Sequence, residues 1–124
     1  TPEKGIQNLV RVLVGLGWTT DMSCEGHLDR VMWQYPWVSI DQLSKGGPVT
    51  GQKYIKINEE LAQYNSIHEV HWRTFSNVHW HGHMFKSGLR TVGETKNEQE
   101  LLILQKGADD LAQYLFDKYL KVPL

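Results

Sequence analysis

Between residues 67 and 92, apolar and polar side chains alternate with little interruption. Such alternation is typical of β-strands that bury one face and expose the other. The alternation breaks at Ser76 and Asn77, so the stretch predicts two antiparallel strands joined by a tight turn. This hairpin is the feature that most constrains the fold, because it requires a sheet with two chemically different faces.

A loop at residues 76–78 is the expected turn, because only this loop gives both strands the same polarity. The resulting register pairs Phe75 with His79, Arg73 with His81, and His71 with His83. The face expected under the helices then carries Val70, Trp72, Trp80 and Met84. The opposite face carries Glu69, His71, Arg73, His79, His81 and His83.

The rest of the chain predicts helices around this hairpin. Apolar residues at spacings of three and four predict a first helix, with Pro2 in its first turn and Gly17 just past its end. Two short strands follow, at 18–23 and 33–40, with Pro36 favouring an edge or bulge in the second. The stretch 44–51 is expected to be a loop on its glycine and proline content.

Helical spacing over 52–66 predicts a second helix, and a strand over 54–57 before a cap at Asn58 is the alternative. A third helix begins at Asn97, where Glu100 completes a capping box. The expected order is αββαββα. It implies a single α+β domain over 1–124 with a four-stranded, mostly antiparallel sheet and helices on one face.

Composition limits the classes of function. The 124 residues are 40% apolar, which is enough for one buried core, and the formal net charge of -1 argues against strong nonspecific nucleic-acid binding. The chain has one cysteine, which excludes an intramolecular disulfide and fits a reducing compartment. We therefore expect a cytoplasmic protein with no membrane span or signal peptide.

The histidine-bearing face is one candidate site. Imidazoles two residues apart on a strand point the same way and lie about 7 Å apart at the backbone, within reach of one ion or anion. Neutral imidazoles would ligate zinc, whereas protonated ones would hold a phosphate or carboxylate together with Arg73. A solvated strand face that merely tolerates histidines is an equally strong interpretation.

The second candidate site is the loop in "DMSCEGHLD". Cys24 and His27 have the spacing of a metal-binding knuckle, Glu25 could act as an acid or base, and Gly26 allows a sharp turn. A single knuckle offers two ligands, so further ligands would have to come from the histidine strand. Cys24 as a nucleophile, and a structured loop around a buried cysteine, are the alternatives.

Aromatic residues crowd around this loop in the sequence: Trp18, Trp33, Tyr35 and Trp37. They fit a hydrophobic core better than a platform for stacking a base or sugar. Trp37 is nevertheless a candidate for ligand contact, together with Ser23, Gly26 and Arg73.

The segment "TTDMSCEGH" resembles a Thr-Thr…Ser-Cys-x-Gly-basic segment of the tRNA wybutosine-synthesizing protein 3 family. This resemblance implies a methyltransferase-like protein of tRNA modification, with Ser23, Cys24, Gly26 and His27 at the matching positions. One extra residue separates the threonines from Ser23. The combination "SCEGH…YPWV" also resembles small bacterial and phage proteins, which implies no activity.

Three functions follow as hypotheses. The first is a domain, or a small enzyme, that binds a small or anionic ligand or a metal such as zinc, with Cys24, Glu25 and His27 joined by some of His71, His79, His81 and His83. The second is a nucleic-acid-associated protein that uses Arg73, His81, Lys86, Arg90 and exposed tryptophans. The third is a structural or protein-interaction domain.

Overall fold

The computed structural model describes residues 3–29, 34–44, 48–80, 84–93 and 95–121. Within these ranges only the backbone is described for 42, 44, 48–55, 77–80 and 84–86. No helix in the described part of the chain combines the length and hydropathy that crossing a membrane requires.

The elements follow the expected αββαββα order, with a short helix added before the middle one. The helices are α1 (Gln7–Gly15), α2 (Asp41–Ser44), α3 (Pro48–Asn65) and α4 (Glu98–Leu115), and α4 continues into a π-helical turn, Phe116–Leu120. The strands are β1 (Thr20–Cys24), β2 (Trp37–Ile40), β3 (Trp72–Trp80) and β4 (Met84–Thr91). All three strand pairs are antiparallel, which confirms the α+β class.

The strand order is β1-β2-β4-β3, so β1 and β3 lie at opposite edges of the sheet. Residues opposite one another form rows that cross all four strands. One row is Cys24, Trp37, Arg90 and Arg73, and the neighbouring row is Ser23, Val38, Leu89 and Thr74. Because successive residues of a strand point to opposite faces, these two rows lie on opposite faces of the sheet.

The face with Val38 and Leu89 packs against the helices. Both residues are fully buried, together with Trp72 of β3. The helices and the turn before α1 contribute Ile6, Leu9, Leu13, Ile57, Leu61, Tyr64, Ala108, Leu111 and Leu115 to this core. The Asn65 side chain fixes the end of α3 to β3, since it accepts from the Trp72 N–H at 2.9 Å and donates to the Trp72 carbonyl at 2.8 Å.

The other face has a small core of its own. Cys24, Trp37 and Phe75 are buried together there, with Met22 and Tyr35 packed against them. Trp37 and Phe75 meet edge to face at 6.2 Å between ring centroids. The second face is therefore not the wholly solvated polar surface that the alternation predicted.

The predicted hairpin register is wrong. Residues 76–78 belong to β3, where a β-bulge lies between Phe75 and Val78. Arg73 pairs with Arg90 and His79 with Phe85, so residues 76–78 are not the turn. Residues 81–83, between β3 and β4, lie outside the described residues. A bulge keeps the strand paired but shifts which residues point to each face. A search for one uniform period of two cannot recognise such a shift. The alternation before the bulge is confirmed, since Trp72 is buried while His71 and Arg73 are exposed.

Several predicted boundaries also move. Helix α1 begins at Gln7 instead of Pro2, after a turn in which the Ile6 N–H donates to the Glu3 carbonyl. Strand β2 begins directly after Pro36 and is central, not an edge. Pro48 starts α3, as proline suits a first helical turn, so 48–51 is helical and not a loop.

The cap at Asn97 is confirmed, because its side chain accepts from the Glu100 N–H at 2.9 Å. The Glu100 carboxylate reaches back to the Lys96 N–H at 2.7 Å, one residue before the expected partner.

The centre of the sheet depends on Gly88, because a Cβ there would lie 1.9 Å from the Val38 carbonyl oxygen. We therefore expect Gly88→Ala to lower the free energy of unfolding by at least about 2 kcal/mol, as overpacking against backbone does. Gly15→Ala is the control, since its Cβ would meet only the flexible Leu120 side chain at 3.1 Å. Urea unfolding should show no loss for the control, and equal losses would contradict close packing of β2 on β4.

Candidate metal centre

The loop after β1 turns sharply at Gly26. Its φ of 94° lies in the left-handed region, which glycine adopts at no steric cost. The turn brings His27 back toward Cys24, the last residue of β1. On the outside of the turn, Leu101 of α4 and the backbone of Gln34 and Tyr35 lie close enough to contact a Cβ at Gly26.

Three potential metal ligands meet at this turn. One ligand atom each from Glu3, Cys24 and His27 lie within 4.8 Å of one another. Cys24 is 3% exposed, whereas the side chains of His27 and Glu3 are 26% and 38% exposed. The cluster therefore has a buried sulfur, and the side chains of its other two members are partly exposed.

The Glu3 carboxylate is held in place by the loop itself. Its Oε1 accepts from the Glu25 N–H at 3.1 Å, and its Oε2 lies 2.7 Å from His27 Nε2. This second pair has the distance of an ion pair but not the orientation of a hydrogen bond, and Nε2 is buried. A cation close to both atoms would satisfy them together.

The Cys24 sulfur also has a backbone donor. The Gly26 N–H points to Sγ at 3.4 Å, and such donation stabilises negative charge on sulfur. The loop is fixed to α4 through the Glu25 carbonyl, which accepts from Gln105 Nε2 at 3.1 Å. Glu25 thus contributes both of its backbone polar groups to the loop structure.

The strand histidines do not join this cluster at the positions that the structure describes. Because β1 and β3 lie at opposite edges, three strand spacings, or about 14 Å, separate Cys24 from Arg73 along their row. His71 is exposed two residues before Arg73, and the backbone of His79 pairs with Phe85, beyond the end of β2. This strand order places His71 and the His79 backbone away from Cys24. His81 and His83 lie outside the described residues, so a shared site that uses them stays a prediction.

The other predicted ligand contacts are distributed over both faces. Ser23 lies in the row of Val38, on the helix side and away from Cys24. Trp37 is 1% exposed, so its ring packs in the core and does not reach solvent. Arg73 is exposed at the far edge of the Cys24 row.

The stacking surface expected for a nucleic-acid partner is likewise not seen among the tryptophan side chains that the structure describes. Trp37 and Trp72 are buried, and Trp18 packs partly buried against the main core. The side chains of Trp33, Trp80 and Lys86 lie outside the described residues.

Sequence reasoning missed Glu3. A single acidic residue before a helix is usually a dipole partner, and nothing in its spacing relates it to a knuckle 21 residues later. Predicting Glu3 would have required the correct start of α1. Because α1 begins at Gln7, Glu3 lies before the helix, where its side chain can reach the end of β1.

A cavity of about 490 Å³, lined by both apolar and charged residues, lies elsewhere, between α1, α3 and the π-helical turn. Its floor includes Leu13, Leu61 and Leu89. Near its mouth, Glu60 accepts from Lys118 Nζ at 2.6 Å and from the Tyr119 hydroxyl. The cavity has the size of small-molecule sites, and its described lining contains no histidine or cysteine.

Comparison of the chain with protein-family models, with curated proteins and with solved structures gave no match. The resemblance to the tRNA wybutosine-synthesizing protein 3 family therefore stays a prediction.

The knuckle can be tested through its glycine. A Cβ at Gly26 would lie 2.7 Å from Leu101 Cδ1 and 3.1 Å from the Gln34 carbonyl oxygen, in addition to the strain of a positive φ. Gly17 has a nearly identical φ of 93° with nothing within 4 Å of a Cβ, so Gly17→Ala measures the backbone strain alone.

We expect Gly17→Ala to cost about 1 to 2 kcal/mol of unfolding free energy, and Gly26→Ala at least about 1 kcal/mol more. Chemical unfolding of both variants is the measurement. Equal losses would mean that the loop is not packed against α4 as described.

Proposed function

We propose that this chain is a zinc-binding domain in which the Glu3 carboxylate, the Cys24 thiolate and the His27 imidazole hold the ion. The observation that carries the proposal is the convergence of these three ligand atoms within 4.8 Å. Ligand atoms around a tetrahedral zinc ion lie about 3 to 4 Å apart, as follows from bond lengths of about 2.0 to 2.3 Å. Small rotations of the partly exposed Glu3 and His27 side chains would bring the three ligand atoms from separations within 4.8 Å to this tetrahedral spacing.

The donor set favours zinc over other common ions. Magnesium and calcium prefer cages made only of oxygen, whereas a thiolate selects softer ions. Sulfur, nitrogen and oxygen donors together are all accepted by zinc. A metal knuckle was one of the hypotheses from the sequence, and Glu3 now supplies a third ligand from outside the loop.

Three protein ligands leave one position open. Zinc sites with three protein ligands and a water are typical of catalysis, whereas structural sites have four protein ligands. When bound, the ion would act as a Lewis acid and would activate a water molecule in that position. The chain itself orients the ligands, since the Glu25 N–H holds the carboxylate and the Gly26 N–H points to the sulfur.

The burial of Cys24 favours this function over a nucleophilic thiol. An attacking sulfur must reach its substrate, and a side chain that is 3% exposed offers little access. A metal ligand needs no such access, because the ion lies between the sulfur and solvent. The more exposed His27 and Glu3 form that outer side.

The test is metal stoichiometry. After dialysis against zinc and removal of excess ion, we expect elemental analysis to find one zinc per chain in the wild type. His27→Ala should lose the ion, because two remaining ligands bind weakly. His71→Ala is the matched control, an exposed histidine outside the cluster, and should retain the ion.

A linked measurement separates loss of the site from loss of the fold. Ligands that bind only the folded state raise its stability by mass action. A chelator should therefore lower the unfolding temperature of the wild type and of His71→Ala, and should leave that of His27→Ala unchanged. Zinc retained by His27→Ala, or a wild type that binds none, would overturn the proposal.

A further inference from the structure

Two arginines lie directly opposite one another on the face that carries Cys24 and Trp37. Arg73 of β3 pairs with Arg90 of β4, so their Cβ atoms are about 4.5 to 5.5 Å apart and their side chains leave the same face. Like charges placed opposite one another on neighbouring strands destabilise a sheet. The pair therefore lowers the stability of the fold, and a bound anion would offset this loss of stability.

Arg90 is held in place by its surroundings. Its guanidinium carbon lies 3.5 Å from the centroid of the Tyr35 ring, a cation–π contact, and its Nε donates to the Thr91 carbonyl at 2.9 Å. The side chain is half-buried, whereas Arg73 is exposed. One guanidinium is thus fixed on an aromatic surface and the other can move to meet a ligand.

The electrostatics agree with this geometry. Burial lowers the pKa of Arg90, the nearby charge of Arg73 lowers it further, and Tyr35 acts in the opposite direction. In the part of the chain that the structure describes, no carboxylate forms an ion pair with either guanidinium. Two positive charges on this face therefore have no acidic partner among the described residues.

We propose that Arg73 and Arg90 form a binding site for the phosphate group of a small phosphomonoester. Each guanidinium presents N–H donors in a fixed plane that matches two oxygens of an oxyanion. A phosphomonoester carries about two negative charges near neutral pH and three terminal oxygens, which suits two guanidinium forks. A carboxylate carries one charge and would satisfy only one fork.

A small phosphate ligand fits better than a nucleic acid. Polynucleotide binding depends on many cations spread along a surface, whereas this chain has a formal net charge of -1. The Tyr35 ring lies under Arg90 and the described tryptophans are buried or half-buried, so bases would find no stacking platform there. The proposal is independent of the zinc site, because it uses no residue of that cluster.

The experiment is a titration of the chelator-treated, zinc-free chain with phenyl phosphate, followed through the arginine side-chain N–H signals in NMR spectra. We expect saturable shifts at Arg73 and Arg90, and weaker binding of acetate than of phenyl phosphate. Removal of zinc ensures that the phosphate does not bind through a metal ion.

Three variants define the site. Arg73→Gln should weaken binding of phenyl phosphate about tenfold or more, as the loss of charge-assisted hydrogen bonds does. Arg90→Lys keeps the charge and the fold but loses the planar fork, so it should also weaken binding. Arg11→Gln, an exposed arginine of α1, is the matched control and should bind like the wild type.

Each contrary result overturns the proposal. No saturable binding by the wild type, unchanged affinity in Arg73→Gln, or equal affinity for acetate would remove the phosphate site. Tighter binding of a short single-stranded oligonucleotide than of phenyl phosphate, with a steep dependence on salt, would replace the small ligand by a nucleic acid. None of these outcomes bears on zinc stoichiometry, so failure here is distinct from failure of the metal site.

Discussion

The close approach of β2 and β4 at Gly88 is the constraint on which the rest of the sheet depends. A backbone carbonyl lies where any other residue would place its Cβ, so these two strands can pair in this register only with glycine at this position. Because β1 and β3 pair outside them, the central pair sets which residues share a row. It places Cys24 at one edge of the sheet and Arg73 at the other.

This arrangement divides the second face into two chemically different regions. At the β1 edge, the knuckle turns around Gly26 and meets Glu3 from the turn before α1. Toward the β3 edge, two guanidiniums share the surface next to Tyr35. A small core of Cys24, Trp37 and Phe75, with Tyr35 packed against it, covers the surface that joins the two regions. One face can therefore hold a soft cation at one edge and an anion at the other.

The sequence predicted the fold class, the order of elements and the cap of α4, because each depends on local patterns of hydrophobicity or capping. It failed on the hairpin register, since the bulge between Phe75 and Val78 has no signature in a pattern of period two. Two of the three ligands of the metal cluster were predictable, because Cys24 and His27 lie in one short loop. Glu3 was not, because its approach depends on where α1 begins, and helix ends are weakly determined by sequence.

A shared metal site needs the histidine strand to lie next to the loop after β1. The observed order places β4 between β2 and β3, and not β3 between β2 and β4, so His71 and the His79 backbone lie apart from Cys24. Sequence alone does not choose between these orders, since both bury the same apolar faces. The distance of His71 and of the His79 backbone from Cys24 is therefore set by the order of the strands in the sheet, and not by the residues next to them in the sequence.

The most direct test of the zinc site is X-ray absorption at the zinc edge of the loaded protein. Because the chain has one cysteine, the account predicts one sulfur at about 2.3 Å and lighter nitrogen and oxygen ligands at about 2.0 to 2.2 Å. A spectrum with no sulfur would place the ion away from Cys24. A spectrum with two or more sulfurs would mean that the ion bridges separate chains, and either result would contradict a centre built from Glu3, Cys24 and His27.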